Sequence, residues 1–275
     1  FTQPDKPVGR KQVLTPPHIK QYCLDKNLSL PIFQPEKLRG NLEVQEQIKN
    51  LKPDFIIVAA YGQILPKEIL DIAPCINLHA SLLPLYRGAS PIQESLLNDD
   101  EYTGVTSMLM EEGLDTGDIL GFKYLKITSD MEVSFAFELL SQIAADLTVM
   151  TLNNFDKIQP KIQNNSKATL CKKIKKEHGV VNFIDAKKLY LKYKAYSFWP
   201  GVFLSSGLKL KEISLIEEIS SNKEGEILEI DSNFVIIGCV KGSLKIKTLQ
   251  VPSKKAVNAT DYIRGQRLNI KDILL

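Results

Sequence analysis

The sequence predicts an α/β protein, a wound parallel sheet flanked by helices, followed by a small β-barrel. Three observations carry that reading. Phe55–Tyr61 (FIIVAAY) is a continuous apolar run of strand length, as suits a strand buried on both faces of a parallel sheet. Strand-like and helix-like segments alternate as far as Asn154, the order in which wound α/β sheets are built. Beyond the polar stretch that ends near Lys176, short β-like runs follow one another between Gly and Asn turns, the pattern of a small barrel.

Taken in order, Pro17–Asn27 is helical in character and leads into the short run Leu30–Phe33, with a further helix over Leu42–Lys49. Phe55–Tyr61 is entered through Pro53–Asp54 and left through Gly62. Ile64–Ile72 suits a helix with proline near its start, and Cys75–His79 is the next strand. Ser90 and Pro91 open a helix through Leu97, with the proline at its favoured first position. Val105–Met110 and Ile119–Ile127 are strands joined by the turn-rich Glu111–Asp118, and Glu132–Asn154 is a long helix. Residues 159–176 lose periodicity and read as a linker. One helix over Ala186–Tyr196 and strands near Val202–Leu204, Leu208–Leu215, Glu226–Glu229, Phe234–Gly238 and Leu244–Leu249 complete the chain. The expected division is therefore a first domain over 1–157, a linker over 158–176 and a second domain over 177–275.

With 275 residues, 44% hydrophobic and 24% charged, the chain has room for two domains with real cores. No stretch reaches the roughly 18 to 20 uninterrupted apolar residues of a membrane helix, and no membrane partner is expected. The four cysteines, Cys23, Cys75, Cys171 and Cys239, lie far apart without metal-ligand spacing. They read as thiols in a reducing compartment, the cytoplasm, and no metal site is expected. The chain opens on Phe1, not Met, in what looks like the end of a strand, so its true beginning is expected upstream. Charge is divided. Residues 1–157 hold 14 Lys/Arg against 21 Asp/Glu, a net −7, and residues 158–275 hold 21 against 11, a net +10. A basic half is the electrostatic footprint of a polyanion partner, and equally of a lysine-rich solvated surface.

Two stretches carry chemistry. In CINLHASLLPLYRGASPIQ (75–93), Asn77 and His79 sit two apart at the carboxyl end of a strand. The strand's period of two points both to one side, and ligands of open α/β sheets bind beyond such ends. An amide donor beside an imidazole suits acyl transfer, the first stabilising an oxyanion and the second handling protons. In EEGLDTGD (111–118), the Thr116-Gly117 turn presents Asp115 and Asp118 on a loop. A carboxylate near a histidine orients the ring and stabilises its protonated form. Alone, these signals decide nothing, because strand-end Asn and His residues are commonly structural.

The wording of the motifs goes further. NLHASLLPLYRGASPIQ followed by GLDTGDIL closely resembles the folate-dependent formyltransferases, and the resemblance runs from TQPDKPVGRK through VAAYGQILP to AYSFWPG and VPSKKA. It implies the formyltransferase fold, a Rossmann-like sheet with an OB-like barrel behind it. It also implies that Asn77, His79 and Asp115 are catalytic. Asn77 would bond the formyl oxygen of 10-formyltetrahydrofolate, His79 would support the charge that forms, and Asp115 would tune the imidazole and help move the amine's proton. The folate is expected along Ser81, Leu82, Leu83 and Pro84 and the apolar residues Tyr61, Ile64 and Leu65.

Within the family the chain looks most like the members that formylate the methionyl initiator tRNA of bacteria. Their matching loop implies tRNA contacts at Lys6, Arg10 and Lys11, with Arg10 entering the end of the acceptor stem. Lys172 and Lys173, and Lys254 and Lys255 of VPSKKA, are the further tRNA candidates. Phe198 and Trp199 are read as packing the barrel in preference to stacking on bases. The rival readings are a formyltransferase acting on an amino sugar nucleotide, a formyl-folate hydrolase, and a truncated, non-catalytic RNA-binding remnant. A monomer is expected.

Overall fold

The computed structural model describes residues 1–9 and 11–274. They form two compact units, each assembled from three pieces of chain. The first comprises Phe1–His79, Thr106–Phe122 and Leu147–Asn164, and the second Ala80–Val105, Lys123–Asp146 and Asn165–Leu275.

In the first unit, Lys6–Val8 (β1) and Val13–Thr15 (β2) form an antiparallel hairpin turned at Gly9, followed by helices His18–Asp25 (α1) and Leu42–Asn50 (α2). Asn41 caps α2, its side chain accepting from the Val44 N–H at 3.1 Å, which satisfies a donor the helix start would leave unpaired. Strand Ile56–Val58 (β3) and the short helix Lys67–Leu70 (α3) precede the strand that matters most, Cys75–His79 (β4), whose five residues are all buried. Val44, Ile48, Leu65, Ile69 and Cys75 share a small core with Leu38.

Next along the chain come Arg87–Gly88 (β5), helix Pro91–Leu97 (α4), Tyr102–Leu109 (β6), Ile119–Lys126 (β7) and the long helix Val133–Asn153 (α5). The first sheet has the order β3-β4-β6-β7. β3 and β4 are parallel, with Val58 opposite Asn77. β6 instead runs antiparallel to β4, with Ile76 opposite Leu109 and His79 opposite Thr106. The expected parallel sheet is thus a mixed one, and the apolar run Phe55–Tyr61 that suggested a strand buried on both faces is strand only over Ile56–Val58, with none of the three fully buried and Ile57 40% exposed. Gly104 lets the sheet close up: a Cβ there would sit 2.2 Å from the Lys123 carbonyl oxygen. By length and composition alone α5 could cross a bilayer. Glu138 and Asp146 interrupt it, and Val133, Ala136, Leu140 and Leu147 are buried.

Within the second unit, Leu170–Cys171 (β8) pairs in parallel with β5, and helix Ala186–Tyr196 (α6) packs on α4. Asp185 caps α6, accepting from the Lys188 N–H at 3.0 Å. Strands Val202–Phe203 (β9), Lys209–Glu217 (β10), Ile227–Ile230 (β11), Val235–Gly238 (β12), Ser243–Gln250 (β13) and Val257–Asn258 (β14) are followed by helix Ala259–Gly265 (α7). They build an antiparallel sheet in the order β11-β12-β13-β10-β9, with β14 on β13. Among the described residues no ladder joins β9 to β11, so the pairings give an antiparallel domain without the closed ring of a barrel. Its core is dense, with Ile227, Val235, Ile237, Leu244, Ile246 and Leu249 fully buried. Phe198 and Trp199 stay outside it, 82% and 49% exposed, contrary to the expectation that they pack the barrel.

Candidate active site

β4 sets the first two polar residues of the site. Asn77 and His79 share a face of that strand, which lies between β3 and β6 with its residues shielded from solvent; Asn77 is 9% and His79 6% exposed. Buried polar side chains need partners, and one carboxylate approaches both. Asn77 donates from Nδ2 to Asp115 Oδ1 at 3.3 Å, and His79 Nδ1 faces Asp115 Oδ2 at 3.7 Å.

Asp115 reaches them from the loop between β6 and β7. Its backbone is in the left-handed region, with φ 51°, a conformation that aspartate tolerates better than most residues. The loop is tight. The Leu109 N–H donates to the Asp118 carbonyl at 2.8 Å, and a Cβ on Gly117 would lie 1.9 Å from the Leu109 carbonyl oxygen, so no larger residue fits there. From the far side Gln163, 5% exposed, donates through Nε2 to the carbonyls of Asp115 at 2.9 Å and Gly117 at 2.7 Å. Nothing in the sequence singles Gln163 out, since it stands in the polar stretch that reads as a linker.

An amide donor, an imidazole and a carboxylate thus converge within hydrogen-bonding or ion-pairing range. A carboxylate opposite Nδ1 favours the tautomer protonated there and orients the ring. The Asn77 amide carries two hydrogens, so donating one to Asp115 leaves another for an acyl oxygen.

The other expected residues fall in different settings. Ser81 is fully buried and its Oγ donates to the Leu85 carbonyl at 2.5 Å; Leu83 is buried and Leu82 half-buried, and the Leu83–Pro84 peptide is cis. Tyr61 and Leu65 pack in the small core of the first unit, while Ile64 is 76% exposed. Burial raises the Tyr61 phenol above its ordinary pKa and leaves its oxygen without a hydrogen-bond partner. Lys6 lies on the β1–β2 hairpin with Nζ bonded to Gln3 Oε1 at 2.6 Å, and Lys11 is exposed in its turn. Arg10 lies outside the described residues. Lys172, Lys173, Lys254 and Lys255 are exposed in the second unit.

A formyl transferase family model matches residues 1–143, and a model of the formyl transferase C-terminal domain matches residues 173–267. The chain belongs to the formyl transferase family. This formyltransferase is 57% identical over 272 residues to a methionyl-tRNA formyltransferase of a Nitratiruptor species, covering 99% of the chain and 90% of that relative. It is 53% identical to the methionyl-tRNA formyltransferase of Wolinella succinogenes, covering 99% of the chain and 89% of the relative. Among solved structures it resembles an N-formyltransferase from Helicobacter canadensis in complex with folinic acid and dTDP-3-aminofucose, with a TM-score of 0.66 and 17% identity over 90% of this chain and 87% of the other. A methionyl-tRNA formyltransferase from Clostridium thermocellum matches with a TM-score of 0.56 and 22% identity, over 72% of this chain and 87% of that one. At those identities the two structures speak for the fold of this formyltransferase.

Proposed function

We propose that this formyltransferase moves the formyl group of 10-formyltetrahydrofolate onto the α-amino group of methionyl initiator tRNA. The observation that carries the reading is the meeting of Asn77, His79 and Asp115 on one buried site, in a chain 57% identical to a methionyl-tRNA formyltransferase. The donor set fits a formyl donor, because an amide donor, an imidazole and a carboxylate each offer what acyl transfer requires. When bound, the folate supplies the activated one-carbon unit.

The chain's own residues do the rest. Asn77 directs an N–H at the oxygen on which negative charge builds, a contribution of about 3 to 4 kcal/mol for such a donor. His79, held opposite Asp115, stabilises that charge more strongly as the oxygen gains electrons. Asp115 balances the imidazole, would accept the proton that the attacking amine must lose, and would return it to the folate nitrogen, which leaves with the electron pair of the broken C–N bond. Ser81, Leu82, Leu83 and Pro84, together with Tyr61, Ile64 and Leu65, are assigned to folate binding. Tyr61 and Leu65 give a packed wall and Ile64 an exposed apolar side chain, which suits a flat ring system.

The acceptor is assigned from charge and exposure. Lys6 and Lys11 of the opening hairpin, Arg10 between them in the sequence, and the exposed Lys172, Lys173, Lys254 and Lys255 would contact tRNA phosphates, which supply most sequence-independent affinity. The net +10 over residues 158–275 supports this. The assigned organisation is a catalytic domain over 1–157, a linker over 158–176, and over 177–275 an OB-like tRNA-binding domain. The enzyme would work as a cytoplasmic monomer in a bacterium. Mass spectrometry of methionyl-tRNA after incubation with 10-formyltetrahydrofolate and the protein tests the reaction. An increase on methionine by the mass of one CO unit is expected; modification of an amino sugar nucleotide and none of the tRNA would replace this reading with the rival.

A further inference from the structure

We infer that Gln163 is a positioning residue of the formyl-transfer site, holding the Asp115 loop in the one shape that presents its carboxylate to His79 and Asn77. The inference rests on the reading of Asp115 as a catalytic residue.

Three observations support it. The Gln163 amide nitrogen donates to two carbonyls spaced two residues apart, those of Asp115 and Gly117. These bonds hold the Asp115–Thr116 and Gly117–Asp118 peptide planes. Holding the first of them restricts rotation about the Asp115 backbone and so the direction in which its side chain leaves the chain. It does so at a residue whose left-handed φ of 51° gives it reason to relax elsewhere.

The segment that carries Gln163 is itself anchored beside the loop. Lys161 and Ile119 exchange reciprocal backbone hydrogen bonds, each 2.9 Å long. Lys161 is thus registered against the first residue of β7, and Gln163 follows two residues on.

The burial pattern is inverted. Ile162 is 86% exposed while Gln163 is 5% exposed. Hydrophobic burial alone would turn the isoleucine inward. The segment adopts the opposite orientation, and the bonds from Gln163 to the loop are what that orientation secures. The carboxylate contacts that depend on it, at 3.3 and 3.7 Å, would not survive a shift of about 1 Å, a displacement that can cost roughly a hundredfold in rate.

The test is a double-mutant cycle in the full chain. Gln163→Leu removes both donors at similar volume, and Gln163→Glu keeps the shape but cannot donate when ionised. Expected in each is a fall in kcat of roughly ten- to a hundredfold, with KM for methionyl-tRNA and for formyl-folate within about twofold. In an Asp115→Ala background the same substitutions should cost less than about twofold, since the residue they position is already gone. The activity of Gln163→Glu relative to the wild type should also recover as pH is lowered and the carboxyl regains a donor. Equal losses in both backgrounds, unchanged kcat in both single variants, or failure of both to fold by circular dichroism would overturn the inference. Full activity in Asp115→Ala alone would instead overturn the catalytic reading on which it stands.

Discussion

Asp115 turns one carboxylate oxygen toward His79, 3.7 Å from Nδ1, and gives the other to the Asn77 amide at 3.3 Å. At 3.7 Å the imidazole contact is electrostatic in character, too long for a good hydrogen bond. Removing the charge while keeping the shape should therefore be costly. Asp115→Asn is expected to lose single-turnover formyl transfer by about a hundredfold or more, with folate affinity little changed. Rates near those of the wild type would remove Asp115 from the chemistry.

Asn77→Ala takes away the proposed oxyanion donor. A loss of about 3 to 4 kcal/mol in the transition state, roughly a hundred- to a thousandfold in kcat, is expected. KM should move far less, because the ground-state carbonyl gains little from that donor. A rise in KM at unchanged kcat would recast Asn77 as a binding residue.

Exposed lysines act through phosphate charge. Replacing Lys254 and Lys255 together by Ala should weaken tRNA binding and flatten the dependence of log K on log salt, by about one unit of slope for each phosphate no longer neutralised. Filter binding over a salt series reads both quantities. An unaltered slope would place the tRNA away from β13 and β14.

Lys194 predicts a pH effect on stability. It is 3% exposed, its Nζ donates to the Ser129 carbonyl at 3.0 Å, and it lies 5.4 Å from the Tyr190 ring centroid. Burial pushes the ammonium's pKa down, and Asp99 and Asp130 pull it part of the way back. A folded-state pKa below the unfolded one means that the unfolded chain binds more protons between the two, so stability from this group rises with pH across that window. Against Lys194→Met, the wild type should gain in Tm as pH is raised from about 7 to about 10. A pH-independent difference would mean that the ammonium is well solvated in the fold.

The legible parts of the fold were those that burial and capping write directly into local sequence. CINLH became β4 at its expected bounds, and Pro91 started α4 where a proline is cheapest. Ile64–Ile72 shortened to Lys67–Leu70, with Pro66 in extended backbone as the residue that precedes the helix. The β1–β2 hairpin escaped notice because Lys6–Val8 and Val13–Thr15 are exposed throughout, leaving no alternation to read. β5 and β8 are two residues each and are defined by a partner about eighty residues away, information no local window holds. Asn77, His79 and Asp115 are named by their motifs, and the structure brings the three side chains together. Gln163 was not legible, because a glutamine among lysines, asparagines and prolines looks the same whether it faces water or a carbonyl.

The pairing of Ile119 with Lys161, and the reach of Gln163 across 48 residues to Asp115, bear on how the protein is made. On the proposed reading, a nascent chain holds Asn77, His79 and Asp115 by the time Asp115 has left the ribosome, whereas Gln163 follows 48 residues later. Until then the turn is free to sample other conformations, and only the lengthened polypeptide can lock it. Competence for transfer is thus expected to switch on late in synthesis, with a stretch that contributes no reacting group of its own.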